Sequence, residues 1–538
     1  AVASTAQVVR PEQRPGSIAG VVQITADRPA IGATVTIVGT VLQTLVLPDG
    51  TFRIDGVPPG VYDISASGQL YRSTTIEEVS VRASQTTTLT ITLKPYPLIS
   101  DVRVKTPWRR AQPIYESSSS VSVVKTTDAP FIAGHSIERI LASTAGVGLN
   151  GGLASIRGSS GGSITVGSRV GLFIDGMPLT SPDMGIPVNA AIPLAAIEQV
   201  EIAKGSATTL YGPGVISGMV NIITPDPAER ERANVNIYTG FYTDPGSSDV
   251  RWWGSRPQRF SGAELMWTQR SKSVGALVAA TLISDDGYRQ HESGNRYNVF
   301  GRVNVFMSRG AELRVAGILA RHEHGPLLWW RNEDSALFAS RVDSTNAPVT
   351  TSLRTLSAEY RGVDSKSFSF VVRGTLQAVA NDDPRPDSSS QRTESSRYIG
   401  EIHLTSYLNR RIAFSYGGLA QFELGESPMY GDGLTRTVGG YCQMEFTNLQ
   451  DIVASIGTRV DLVLMPGAED ANVLELSPTV GVAYHPVPST SFRASITRGY
   501  RAPSVAERLF NTSRYGVPII SNAMLGPEQS WQGEVGSA

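Results

Sequence analysis

Beyond about residue 227 the chain alternates apolar and polar positions in runs of about ten residues. Residues 411–424 place Ile412, Phe414, Tyr416, Ala420, Phe422 and Leu424 on one face of an extended chain, and Ser415, Gly417, Gln421 and Glu423 on the other. Residues 365–380 divide in the same way, with Phe368, Phe370, Val372, Leu376 and Ala378 against Ser367, Ser369, Arg373, Thr375 and Gln377. In 451–464, Arg459 and Asp461 fall on the polar face. Successive side chains of a strand point to opposite faces, so each run predicts a strand with one apolar and one polar side.

A soluble sandwich alternates too, and the connections discriminate. Long ones are expected near 241–261, 285–295, 321–348, 381–396, 425–436, 465–474 and 501–531. Short ones are expected near 271–273, 308–311, 362–365, 409–411, 447–450 and 486–490. Long and short alternate, so all long loops fall at one end and all tight turns at the other, as in an antiparallel transmembrane β-barrel. About thirteen strands are expected, with a fourteenth beginning at Gln532.

The beginning of the chain reads differently. Residues 1–15 open with small and polar residues, as around a secretory cleavage site, and are expected to be a leader. Residues 16–94 carry short strands separated by turns: ATVTIVG (33–39), then LPDGTFRIDGVPPGVYDISAS (47–67) with the turn pairs Asp49-Gly50 and Pro59-Gly60, then TTTLTITLK (86–94). Strands at this spacing predict an all-β sandwich. Residues 95–120 are rich in Pro and Ser and read as a linker. Within it Asp101, Val102, Arg103, Val104 and Lys105 form a short extended run, either a spacer or a strand that adds to a partner's sheet edge.

Residues 121–226 mix helix and strand. HSIERILAST (135–144) has helical spacing; LASIRGSS (153–160), RVGLFIDGMPLTSPD (169–183) and IPLAAIEQVEIAKG (192–205) predict strands around turns and one short helix. GSATTLYGPGVISGMVNIIT (205–224) raises the question of a phosphate cradle. The order is wrong for one: a nucleotide loop needs a strand before its glycines and a helix after, whereas here glycines lead into a β-branched strand, and Gly218 is followed by Met219 rather than Lys-Ser/Thr.

Two resemblances follow from these segments. GSIAGVV, AIGATVTIVGT and PDGTFRIDGVPPGVYDISASG resemble the carboxypeptidase regulatory-like domain, a fold without a catalytic zinc site. SIERILASTAGV, LASIRGSS, VGLFIDGMPL and IPLAAIEQVEIAKGSATTLYGPGVISGMVNIIT, in that order, resemble the plug domain of TonB-dependent outer-membrane receptors. The resemblance implies a mainly β chain: N-terminal β-sandwich, α+β plug (121–226) and antiparallel transmembrane β-barrel (227–538). The plug motif then comprises Arg157, Gly158, Asp175, Gly176, Gly205, Tyr211, Gly212, Gly218 and Asn221, with Arg157 a candidate for a buried ion pair to Glu534. Residues 101–105 resemble a TonB box, which usually carries Thr or Val where Lys105 stands.

Plugged transporters use about 22 strands. The chain counts about 13–14 and ends in Gly536-Ser537-Ala538, so a C-terminally truncated barrel is expected. Its two open edges would be costly in lipid, and the chain alone is expected not to insert as a working transporter; heat-resistant folded monomer recovered from membranes would contradict that.

Composition narrows the function classes. A net charge of -1 gives no reason to expect nucleic acid as a partner, and the single cysteine, Cys442, provides neither a disulfide nor a thiolate cluster for zinc. No Ser-His-Asp, Cys-His or HExxH arrangement is visible, so no enzyme, no cofactor and no resident metal are expected. RHEHGPLLWWRNED (321–334) is the most distinctive long connection. His322 and His324 lie on one side of an extended chain, where two imidazoles suit haem iron or another metal; a solvated loop beside Trp329, Trp330 and Arg331 is the competing reading. Residues 499–510 and 525–536 resemble the barrel segment with an Arg-Ala-Pro and a later Pro-Glu motif. Haem receptors of the family tend to place a His between these motifs, and 504–526 hold none.

The resemblance implies energised import across the outer membrane of a Gram-negative bacterium, with the periplasmic TonB complex, outer-membrane lipid and a small-molecule or metal-chelate ligand as partners. A ferric siderophore leads, with glycan, peptide and cobalamin open. A surface binding or adhesion protein without transport is the competing class.

Overall fold

In the computed structural model the described residues are 15–25, 28–30, 33–38, 40, 42–68, 71–93, 103–104, 112–125, 136–150, 153–159, 166–307, 310–325, 331–340, 348–365, 367–383, 391–409, 411–449, 451–465, 472–487, 490–514 and 517–537. The chain divides into two units, Ala1–Val102 and Arg103–Ala538.

The first unit is the expected all-β sandwich. One four-stranded sheet joins Arg28–Pro29, Gly16–Thr25 and Thr51–Val57, with Thr86–Thr92 running parallel to Gly16–Thr25. The other joins Gln43–Leu45, Thr34–Ile37, Gly60–Gly68 and Tyr71–Val81. Inward residues of both sheets, among them Ile18, Val35, Phe52, Ile64 and Ile91, form one core. Asp49 accepts hydrogen bonds from the Thr51 amide and hydroxyl, which fixes the turn that starts Thr51–Val57.

The second unit holds an α+β domain and a large sheet. In the domain, Ser120–Lys125, Gln199–Lys204, Gly218–Ile223, Val170–Ile174 and Met177–Pro178 form a five-stranded sheet in that order. Ile137–Ala142 is the expected short helix, its face of Ile137, Ile140 and Leu141 buried. The serines at the end of the 95–120 segment depart from the linker expectation: Ser117 and Ser118 are buried, and Ser118 Oγ lies 3.5 Å from Ser455 Oγ on the large sheet.

The large sheet is an antiparallel meander of Arg232–Phe241, Arg259–Arg270, Val274–Asp285, Gly294–Phe306, Glu312–His324, Val349–Ser365, Phe368–Asp383, Gln391–Asn409, Ile412–Ser427, Gly431–Leu449, Ile452–Leu464, Thr479–Val487, Thr490–Arg501 and Glu528–Ser537. Val473–Leu476 also pairs with Ile452–Leu464 and is the outer continuation of Thr479–Val487, interrupted at Ser477-Pro478, where proline cannot donate to the ladder.

Burial along these strands is inverted relative to a soluble sheet. Thr281, Asn298, Arg302, Thr355, Thr375 and Gln377 are buried, while Val278, Leu282, Val299, Leu319, Leu356 and Leu376 are exposed. The polar face therefore turns inward and the apolar face outward, the arrangement lipid requires. At the level of the α+β domain the wall becomes apolar on its inner side as well. Leu277, Ala279, Phe300, Ala316, Ile318, Leu353 and Val379 join that domain's Ile174, Leu179, Ile192 and Ile222 in one core, which seats the domain against the inner wall.

Three expected loops are corrected. Of residues 381–396, 381–383 and 391–396 lie in the paired strands Phe368–Asp383 and Gln391–Asn409. Residues 425–436 are not a long loop: Ile412–Ser427 and Gly431–Leu449 continue to a tight turn at 428–430, and Gly425, Gly431 and Gly433 lie in the paired strands. Residues 321–324 belong to the strand Glu312–His324 and not to a loop, because the alternation continues through them.

Candidate functional site

The inner domain is held chiefly through its backbone carbonyls and a few carboxylates, gripped by polar side chains that successive wall strands turn inward. Asp175 and Gly176 form the turn between Val170–Ile174 and Met177–Pro178, with φ of 48 and 83 degrees. Positive φ at both residues is the condition for a type I′ two-residue hairpin turn, and Asp-Gly satisfies it. The Asp175 carboxylate accepts the Thr224 amide at 3.1 Å and its hydroxyl at 2.6 Å, so the turn is tied to the strand end where the domain hands the chain to the wall. Arg302, on Gly294–Phe306, donates to Asp175 Oδ2 at 2.9 Å and also to Thr224 Oγ1 and the Pro225 carbonyl.

The neighbouring strands repeat this grip. Asn298 donates to the carbonyls of Ala190 and Ile192 at 2.9 and 3.1 Å. Arg373 donates to the Gly176 carbonyl at 3.0 Å while Glu359 and Glu401 hold its charge. Gln377 donates to the Pro178 carbonyl at 2.9 Å, and Arg397 to the Thr180 carbonyl at 2.8 Å with Glu423 as its ion-pair partner.

On the other side, Gln532 accepts the Ser206 amide at 2.8 Å and donates to the Ile216 carbonyl at 2.7 Å. Arg169 pairs with Glu528 at 2.7 Å, and the same carboxylate receives Arg501, which also binds Glu507. The Arg-Ala-Pro and Pro-Glu segments that the sequence singled out thus meet in one ion cluster with an arginine of the inner domain.

At the outer end, Asp183 accepts the Tyr430 hydroxyl at 2.7 Å and the Ser395 hydroxyl at 3.0 Å, and its carbonyl accepts the Ala506 amide at 3.0 Å. Burial, with Asp183 beside it, pushes the Tyr430 phenol well above the usual tyrosine range. Ala506 lies on the short helix Val505–Leu509, which starts at a capping box between Ser504 and Glu507. Below this contact an open cavity separates the inner domain from the wall, lined by Thr180, Tyr211, Arg397, Glu401, Glu423 and Arg501.

The sequence-selected residues divide between these places. Arg157 lies 3.1 Å from Glu534, but nearly half of its side chain is exposed, so this pair is not buried; Asp175–Arg302 is. Gly205, Gly212 and Gly218 adopt positive φ, Tyr211 packs on Phe173 with ring centroids 5.7 Å apart, and Asn221 is buried in its strand. His322 and His324 have stacked rings with centroids 4.7 Å apart, and Arg331 lies over the Phe338 ring. Trp329 and Trp330 lie outside the described residues. So do Asp101, Val102 and Lys105, whereas Arg103–Val104 pairs antiparallel with Gln112–Pro113. Sequence reasoning missed Arg302 and Arg397. Their signal was an arginine at an inward position of an alternating strand, as it had noted for Arg373 and Arg459.

Known families match most of the chain. Residues 17–94 match the carboxypeptidase regulatory-like domain, 113–219 the TonB-dependent receptor plug domain, and 234–537 the TonB-dependent receptor-like β-barrel. The vitamin B12 transporter BtuB of Photobacterium profundum is 32% identical over 157 residues, 28% of this chain and 25% of that protein. An iron-regulated outer membrane virulence protein of Vibrio cholerae is 31% identical over 150 residues, 26% of this chain and 22% of that protein. The match therefore spans about a quarter of the length of these relatives. The solved siderophore receptor PirA of Acinetobacter baumannii has the same fold at a TM-score of 0.60 and 14% identity, over 78% of this chain and 68% of that one.

Proposed function

The chain belongs to the TonB-dependent receptor family and sits in the outer membrane, and from that premise we propose that it imports a scarce nutrient, with a ferric siderophore as the leading cargo. Cobalamin is the second reading, favoured by the likeness to a vitamin B12 transporter over 157 residues.

The observation that carries the proposal is how the plug is held. Its apolar residues pack on the wall, while its register is fixed by separate hydrogen bonds to carbonyls at Gly176, Pro178, Thr180, Ala190 and Ile192. Water can replace such bonds one at a time, at about 0.5–1.5 kcal/mol for the neutral donors and about 1.5–3 kcal/mol for Arg373 and Arg397, so a directed pull can shift the plug without unfolding the barrel. The segment around 101–105 is the place for the periplasmic TonB complex to pull. The pairing of Arg103–Val104 with Gln112–Pro113 is short enough for a partner strand to replace.

Growth of a transport-deficient strain expressing the full-length receptor on a panel of ferric siderophores and cobalamin, with and without TonB, tests this. Rescue by one nutrient that vanishes without TonB is expected. Binding without TonB-dependent growth would instead favour a surface receptor that does not transport.

A further inference from the structure

His322 and His324 stand at alternate positions near the outer end of Glu312–His324. The same face of that strand carries Ala316 and Ile318, which are buried against the plug, so both imidazoles face the lumen above it. Alternate side chains on one strand face start about 7 Å apart. The two rings nevertheless approach to 4.7 Å between centroids at an interplanar angle of 29 degrees, so they lean together. Imidazole nitrogens bind borderline metals at about 2.0–2.1 Å, so two nitrogens sharing one ion sit about 3 Å apart, within reach of rings placed like these.

The hydrogen bonding orients the pair. His324 Nδ1 lies 3.1 Å from the Gly325 carbonyl. A carbonyl only accepts, so Nδ1 carries the proton and Nε2 presents its lone pair. Arg296 is paired directly opposite His322 on the next strand, and its inward-facing guanidinium has one buried nitrogen without a hydrogen-bond partner. Among the described residues no cluster of three or more His, Cys, Asp or Glu exists that would complete a coordination shell. The pair thus faces one cation, Arg296, while the Asp383 carboxylate also lies within electrostatic reach of His324. A closed structural metal site needs four ligands, and a bare divalent ion gains nothing from the arginine.

We propose that His322 and His324 form a docking site for a borderline divalent transition metal carried in an anionic chelate that leaves two adjacent coordination positions open, with Arg296 taking an anionic group of the chelator. Imidazole suits nickel, copper and zinc, and a metal whose positions are all filled by its chelator has none to offer the pair. The use of this site for cargo rests on the uptake proposed above, with a divalent-metal chelate in place of the ferric siderophore; the binding itself does not rest on it, and the two fail separately.

The test uses the purified full-length receptor without a polyhistidine tag, in a Cys442→Ser background that removes the exposed thiol. Calorimetric titration with nickel nitrilotriacetate, which leaves two positions open, is compared with nickel EDTA, which is saturated. One-to-one binding of the first and none of the second is expected. His322→Ala or His324→Gln should weaken it at least tenfold, and Arg296→Gln should weaken it while leaving free Ni2+ binding unchanged. Each variant is first checked for wild-type heat-modifiable migration, so that a lost signal reports the site and not the fold. Equal binding of both chelates, no binding of either, or full binding by the His322→Ala/His324→Gln double variant would overturn the proposal. Growth on the nutrient panel reads the uptake proposal independently.

Discussion

Arg302 of the barrel wall and Asp175 of the plug hairpin meet at 2.9 Å with 1% and 8% of their side chains exposed, whereas Arg157 and Glu534 meet at 3.1 Å with 47% and 13% exposed. Burial makes the two pairs unequal. Removing Arg302 leaves a buried carboxylate without its cation, which costs about 3–5 kcal/mol. Removing Arg157 exposes Glu534 to water and costs about 0–1 kcal/mol. Arg302→Ala should therefore loosen the plug and admit large antibiotics through the membrane-inserted receptor, while Arg157→Ala should not. Equal antibiotic sensitivity in the two variants would mean that burial does not rank these contacts.

Gly218 begins the strand that closes the plug, between Lys204 on one side and Val170 on the other. Its φ is +147 degrees, and a Cβ there would run into the Ala203 carbonyl oxygen and the Ile156 side chain. Backbone cannot step aside as a side-chain tip can, so Gly218→Ala should cost about 1–3 kcal/mol and open the plug to limited proteolysis. Gly148→Ala is the control, since a Cβ there meets nothing within 4 Å. Similar protease resistance in both variants would remove close approach as the reason for this glycine.

The part of the fold that was legible in the sequence is the part set by local rules. Period-two alternation marked the wall strands because lipid outside and a largely polar lumen inside reward opposite chemistries at adjacent positions. Asp175-Gly176 was legible because few other pairs accept two positive φ values. Arg302 was not, since its partner lies 127 residues away and only the curvature and stagger of the sheet decide which inward arginine meets the hairpin. Residues 425–436 misled because Gly425, Gly431 and Gly433 resemble turn chemistry, while the actual turn takes Pro428, Met429 and Tyr430. RHEHG misled in the opposite sense. A lumen-facing strand end is as polar as a loop, and only its inward histidines alternating with outward Arg321 and Glu323 distinguish the two.

Tyr430 gives the outer contact a pH signature. Its phenol is buried and donates to Asp183, so its folded pKa is raised above the roughly 10 of an unfolded tyrosine. A raised pKa means the stabilisation is complete below about pH 10 and is lost as pH climbs beyond it, by up to about 1.4 kcal/mol per unit. Thermal melts at pH 8, 10 and 11 should show this alkaline loss in the wild type. Tyr430→Phe should be less stable at pH 8, by about 1.5–3 kcal/mol for a bond to a charged acceptor, and should lose less on going to pH 11. An unchanged alkaline slope in the variant would place the titrating group elsewhere.

Val278 and Val274 test the membrane face on a single strand. Both point outward on Val274–Asp285 and are about equally exposed, at 40% and 43%. Val278 lies near the strand's middle, whereas Val274 is its first residue, beside the tight turn at 271–273. In water an arginine would be harmless at either position. In a bilayer the cost depends on depth: about 2–4 kcal/mol at the midplane and about 0–1 near the interface, where a long side chain reaches the headgroups. Val278→Arg should thus destabilise the receptor far more than Val274→Arg when urea unfolding is followed in lipid vesicles. The gap should close in detergent micelles, whose thin apolar shell lets both guanidinium groups reach water. Two equal costs in vesicles would mean that this strand does not cross the bilayer with its middle at the centre, and the assignment of its outward face to lipid would have to be withdrawn.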